Sequence, residues 1–95
     1  MLRVRIHKQK EGPSGFEQVW CKDLNGKNGE HADAKLLALQ ADPLMQGELV
    51  SLRFKDGEGS GCIASGSLLE IEYSETKDSM KQVDVYFFLD SWRSW

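Results

Sequence analysis

Two histidines, His7 and His31, and two cysteines, Cys21 and Cys62, are the side chains here best suited to metal binding or nucleophilic chemistry. Their spacing argues against both. A structural zinc site draws its ligands from closely paired Cys and His residues, and these four stand far apart in the chain. No Ser/His/Asp or Cys/His constellation can be assembled from spacing either. Each cysteine is expected to act as a small buried hydrophobe, and the sequence leaves a Cys21–Cys62 disulfide open. Glu70 and Glu72 stand two apart on one strand face, with Asp84 placed to lie across from them. Paired carboxylates serve as acid and base only where their surroundings push their pKa values apart. On an outer sheet face they are solvated, or they guard the sheet against edge pairing. The glycine-rich run Asp56–Gly61 lacks the Gly-Lys-Ser/Thr ending of a phosphate loop. Glu58 stands where a nucleophile elbow centred on Ser60 would require glycine. The expectation is a protein with no catalytic activity, no metal and no cofactor.

Binding is the other chemistry these residues offer. A basic row, Arg3, Arg5, Lys8 and Lys10, joined by Arg53, together with the outward aromatics Tyr86 and Phe88 and with Trp20 and Trp92, has the ingredients of a single-strand nucleic-acid platform. The net charge of −3 and a pI of about 5.3 weigh against it, as do the carboxylates Glu70, Glu72, Asp84 and Asp90, which repel phosphate. Tyr86, Phe88, Trp92 and Trp95 serve a protein interface at least as well, since Trp and Tyr dominate interface hot spots. The competing expectation covers Tyr86 and Phe88 with the helix or the Trp-rich tail. Contact with a protein partner or with a second copy is the leading reading. A single-strand nucleic-acid binder is the alternative. A third is a small acidic inhibitor whose Glu70, Glu72 and Asp84 imitate phosphates on a nucleic-acid enzyme.

The elements that must position these residues are mainly strands. Leu2, Val4 and Ile6 alternate with Arg3, Arg5 and His7, giving a first strand with one apolar and one basic, exposed face. Glu11–Gly15 is a turn, and Phe16–Leu24 a second strand pairing back on the first. Asn25–Gly29 is expected to be a loop. Good helix formers over Ala32–Ala41 predict a helix, which Asp42-Pro43 ends. Three or four strands follow. Val50, Leu52 and Phe54 alternate inward in Glu48–Lys55. Cys62–Ser65 forms a short strand. In Leu68–Ser74, Leu69, Ile71 and Tyr73 share one face. Val83, Val85, Phe87 and Leu89 share one face of Gln82–Asp90. The tail Ser91–Trp95 follows no pattern and is expected to be mobile or to form an interface. The fold class is thus mainly β with one short helix: a small antiparallel barrel or strongly curled sheet of SH3-like or OB-like size, with the helix plugging one end. A flat sheet with one helix laid across it is second.

At 95 residues, 40% hydrophobic and 28% charged, the chain has the size and composition of one folded domain, residues 1–95. The start Met-Leu-Arg-Val-Arg has no leader pattern, and no apolar run approaches the roughly 20 residues that span a bilayer. The expectation is a cytoplasmic protein with reduced thiols and no membrane partner.

Three stretches carry a family resemblance. Leu2–Trp20, with Leu-Arg-Val-Arg-Ile and then Gly-Phe-Glu-Gln-Val-Trp, resembles the opening of small tailed-phage head–tail joining proteins. Val50–Gly57 is similar to their central strand, and Gly66–Leu89, with Leu-Glu-Ile-Glu-Tyr, to their closing hairpin. The chain departs from them after Trp20, where the loop Asn25–Gly29 replaces a strand. The resemblance implies a small β-barrel with a helix and long loops, assembling into rings as a structural viral protein, in the virion or the host cytoplasm. It implies no catalytic residues.

Overall fold

A computed structural model describes residues 1–10 and 15–95. The expected turn at Glu11–Gly15 lies outside the described residues except for Gly15, whose carbonyl accepts from Lys10 N at 3.1 Å. In chain order the elements are β1 (Leu2–Gln9), β2 (Phe16–Leu24), α1 (Gly26–Ala41), a 3-10 turn (Pro43–Met45), β3 (Leu49–Lys55), β4 (Gly61–Glu75) and β5 (Lys81–Ser94). They form one five-stranded sheet in the order β2-β1-β5-β4-β3. Three ladders are antiparallel, but β1 and β5 run parallel, from Leu2↔Lys81 to Lys8↔Phe87. The sheet is therefore mixed, not antiparallel as the strand count suggested. Local pattern finds hairpins; it does not show that the last strand returns beside the first.

One face carries the core. Leu2, Val4 and Ile6 of β1, Leu52 and Phe54 of β3, and Val83, Val85 and Phe87 of β5 are all buried. Helix α1 covers this face with Ala32 and Leu36. The two edge strands approach each other across it. In a flat sheet, four strand spacings of about 4.8 Å would hold β2 and β3 roughly 19 Å apart. Instead Trp20 of β2 stacks on Phe54 of β3, with ring centroids 5.9 Å apart and planes 12° from parallel. Lys22 Nζ and Asp56 bridge the same gap at 3.9 Å. The sheet thus curls around its core, yet no ladder joins β2 to β3. Side chains, not hydrogen bonds, close it, so it is an open curled sheet with a helix across its concave side. Trp20, expected outward, is one of those closing residues and is buried.

Three local departures have physical causes. The helix begins at Gly26, inside the expected loop. Its first turn holds Gly26 and Gly29, poor helix formers, but Gly29 is buried where a Cβ would stand 2.7 Å from the Leu24 carbonyl oxygen. Only glycine lets the helix start that close to the end of β2. The short strand Cys62–Ser65 and the strand Leu68–Ser74 are one continuous β4, interrupted at Leu69 by a shift of register with β5. That bulge inverts the expected alternation: Leu68 is buried and Leu69 exposed. Finally, the tail is strand. Residues 91–94 pair with Cys62–Ser65, and Trp95 exchanges backbone hydrogen bonds with Gly61 at 3.0 and 3.1 Å.

Candidate functional site

The convex face, away from the helix, gathers the polar residues that the alternation of β1 and β5 sets in phase. Parallel pairing places Arg5 beside Asp84 and His7 beside Tyr86. Asp84 is the one buried charged residue among those described, 4% exposed. Its carboxylate is fully engaged. Arg5 donates from Nε to Oδ1 at 2.6 Å and from Nη2 to Oδ2 at 3.1 Å. His7 Nε2 lies 2.7 Å from Oδ1, and Gln82 Nε2 donates to Oδ2 at 3.2 Å. Four donors fill the roughly four acceptor positions of a carboxylate. Burial alone would push this carboxyl up, but the bonds from Arg5 and His7, with the Arg5 charge and Gln82, outweigh it and hold Asp84 below the usual range. The same bond raises the Arg5 guanidinium further above its ordinary value. A carboxylate saturated in this way has no lone pair left for a substrate proton. It acts as the anchor of the face.

Aromatic rings stand on that anchor. Tyr86 stacks on His7 with centroids 4.6 Å apart and planes 14° from parallel, and Phe16 meets Tyr86 edge-on at 4.8 Å. Tyr86 also donates its hydroxyl to Glu72 Oε2 at 3.2 Å. Burial, then the charges of Asp84 and Glu72, raise its phenol. Phe88 follows on the same face and is 58% exposed. Neither ring lies under the helix or against the tail, because the core side of β5 is already taken by Val85 and Phe87. The face therefore presents Phe16, part of Tyr86 and Phe88 to solvent beside a fixed ionic lattice.

The remaining expected residues divide between places. Trp92 pairs with Ala64, whose side chain is buried on the helix side, and so leaves the convex face. Trp95 lies at the far end of β5, where the Arg53 guanidinium sits 5.4 Å from its ring centroid. Tyr86, Phe88, Trp92 and Trp95 do not form one patch. The basic row is tied down. Arg3 makes a two-pronged pair with Asp23 at 2.8 and 3.2 Å, Arg5 is held by Asp84, and Lys8 Nζ is 3.8 Å from Glu17. Lys10 is exposed, and Arg53 lies far along the sheet on β3. Asp84, proposed as a phosphate mimic, is buried and neutralised, which leaves Glu70 and Glu72 exposed.

Cys21, expected to be buried, is exposed on the convex side opposite Arg5; partial desolvation nevertheless raises its thiol. Cys62 is wholly buried, and burial pushes its thiol up to about 12. Both thiols are free. Among the described residues, no group of three or more His, Cys, Asp and Glu side chains is placed to hold a metal ion, and no helix is long and apolar enough to cross a membrane. Spacing missed the His7–Asp84–Arg5 cluster because its members lie at opposite ends of the chain. The signal was present in the shared phase of the first and last strands, and only their parallel pairing reveals it. No protein-family model, curated protein or solved structure matches this chain.

Proposed function

We propose that this protein is a small binding module that engages a protein partner through the convex face of its sheet. The observation that carries this reading is the aromatic set of exposed Phe16 and Phe88 around half-buried Tyr86, seated beside a hydrogen-bonded Arg5–Asp84–His7 lattice. Aromatic anchors that lose little side-chain entropy are what strong interfaces use. Tyr86 is held from both sides before any partner arrives. The polar lattice supplies the rim, and exposed Glu70 on the adjacent strand adds charge that can select a partner. The sequence resemblance gives the most specific version of this reading, a ring-forming structural joint whose partner is a second copy.

Single-strand nucleic-acid binding is the weaker reading, because Arg3, Arg5 and Lys8 already face carboxylates. A phosphate would have to displace them. Photo-crosslinking tests the main proposal. A benzophenone side chain at Phe88, in the cells that make the protein, is expected to give a protein adduct of discrete mass that the same group at exposed Leu37 does not give. Nucleic-acid adducts only, or equal yields at both positions, would overturn it. Light scattering over a concentration series decides the ring version: a strict monomer throughout removes the second copy as partner.

A further inference from the structure

We propose a second docking site, separate from the convex face: the free edge of β3, which accepts an extended segment of a partner protein as a sixth strand, apolar along one half and acidic along the other. The two edges of the sheet differ. Edge strand β2 carries a register shift between Trp20 and Gln18 and charges of both signs, Glu17, Lys22 and Asp23, the usual means of blunting an edge. Edge strand β3 has no register shift and no charge of the second sign. Its register with β4 is unbroken from Leu49↔Ser67 to Lys55↔Gly61, it contains no proline, and its only charges are Arg53 and Lys55. Among the described residues no strand pairs with its outer side. At its Phe54 end side chains of β2 reach across, Trp20 onto Phe54 and Lys22 to Asp56, and an incoming strand would displace the Lys22–Asp56 pair.

Beside that edge runs a groove of about 500 Å³ between β3 and the second half of α1. Ala38, Leu39 and Met45 form its apolar wall and Leu49 its near end. A strand laid on β3 would send every second side chain toward this wall, at a spacing of about 6.8 Å. Backbone bonds would supply affinity and the groove the choice of side chain. The charge pattern selects the other half. Lys35, Arg53 and Lys55 make no ion pair with a carboxylate among the described residues. All three line one hollow at the Phe54 end of the edge. Lys35 enters from the helix side, with its Nζ 6.0 Å from the Phe54 ring centroid, and Arg53 and Lys55 from the opposite face of β3, where Arg53 also lies on the Trp95 ring. Acidic side chains on the incoming strand would complete them. A second copy is the poorer occupant, because β3 itself, Leu-Val-Ser-Leu-Arg-Phe-Lys, offers no carboxylate to these cations.

The test is to pan a displayed library of short random peptides on the full chain, then titrate the most enriched peptide into isotope-labelled protein. Expected are peptides of alternating apolar residues followed by Glu or Asp. Amide shifts should be confined to Leu49–Lys55 and the Lys35–Met45 side of the groove. Binding should weaken about tenfold or more in the double variant Lys35→Glu/Arg53→Glu, and likewise in Ala38→Arg, which fills the groove from an exposed helix position. Phe88→Ala should leave it unchanged, so this proposal and the convex-face reading fail independently. No enrichment, shifts centred on Tyr86 and Phe88, or affinity indifferent to the groove variants in folded protein would each overturn it. So would sedimentation showing a dimer whose formation protects the β3 amides.

Discussion

Asp84 shows what a single residue does for the face. It is buried on a sheet side that otherwise meets solvent, and it stays charged because Arg5, His7 and Gln82 enclose it. Asp84→Asn would leave the shape but remove the charge, stranding a guanidinium that is about a third exposed. Breaking a buried pair costs about 3–5 kcal/mol; exposure of Arg5 reduces that to about 2–3, measurable by urea titration. The pH dependence follows from the lowered carboxyl. An unfolded Asp titrates near about 3.9, so between that value and the folded one the unfolded chain holds more protons. The stabilisation is complete above the unfolded value and is lost as pH falls through the folded one. The acid limb of stability against pH should therefore be shallower in Asp84→Asn than in the parent. The cysteines give a second residue-level prediction. A disulfide-exchange reagent near neutral pH should modify Cys21 alone in native protein, and slowly because its thiol is raised, with Cys62 following only in denaturant. Of these residues the sequence made the phase legible, Arg3, Arg5 and His7 on one face of β1 and Asp84, Tyr86 and Phe88 on one face of β5. Their meeting was not legible, since it depends on a parallel ladder that no local rule encodes.

Elements carry the next set of consequences. The hairpins β3–β4 and β4–β5 close in the same way. In the first, Asp56 N donates to Ser60 O, Gly59 N donates to Asp56 O, and Gly59 has φ +93°. In the second, Thr76 N donates to Met80 O, Ser79 N donates to Thr76 O, and Ser79 has φ +60°. The second turn thus places serine where the first places glycine. A left-handed conformation costs an ordinary residue about 1–2 kcal/mol, part of which glycine forfeits through its freer unfolded chain. Ser79→Gly should therefore stabilise by about 0.5–1 kcal/mol and raise Tm by about 2–5 °C, while Gly59→Ser should lower it. Differential scanning calorimetry on the two variants reads both signs. Strands β1 and β3 and the first part of β5 were legible because each alternates with a buried face. Strand β2, which buries only Trp20 and Leu24, was legible as the return strand after the expected Glu11–Gly15 turn and not from its alternation. The start of α1 was not, because its glycines are unfavourable locally: Gly26 takes a φ of +55° at the junction, and Gly29 is required by the contact with Leu24. The bulge at Leu69 was not, because one extra residue looks the same as continued alternation until the partner strand is in place.

At the scale of the whole molecule, closure is shared among distant parts. The stack of Trp20 on Phe54 draws the two edges together, and α1 fills the concavity between them. The last residues, which no pattern placed, complete the other side of β4. Without them Cys62, Ala64 and the strand around them would keep β3 on one side and have nothing on the other. Deletion of residues 91–95 removes the ladder from Cys62↔Ser94 to Ser65↔Ser91 and both Trp95–Gly61 hydrogen bonds. At about 0.5–1.5 kcal/mol net for each bond lost, before counting apolar area newly exposed, the truncated protein should lose about 3 kcal/mol or more. The loss should be uneven. Amides of β3 and the first half of β4 should exchange faster than those of β1 and the centre of β5, since local opening follows the pairing that remains. Cys62 should then become accessible to the thiol reagent without denaturant. A tail that merely frayed would leave both the exchange pattern and the Cys62 reactivity of the full chain intact. The same measurement bears on the β3 edge, because β3 pairs only with this half of β4, and a β3–β4 hairpin that opens locally could not present an ordered row of donors and acceptors to a partner.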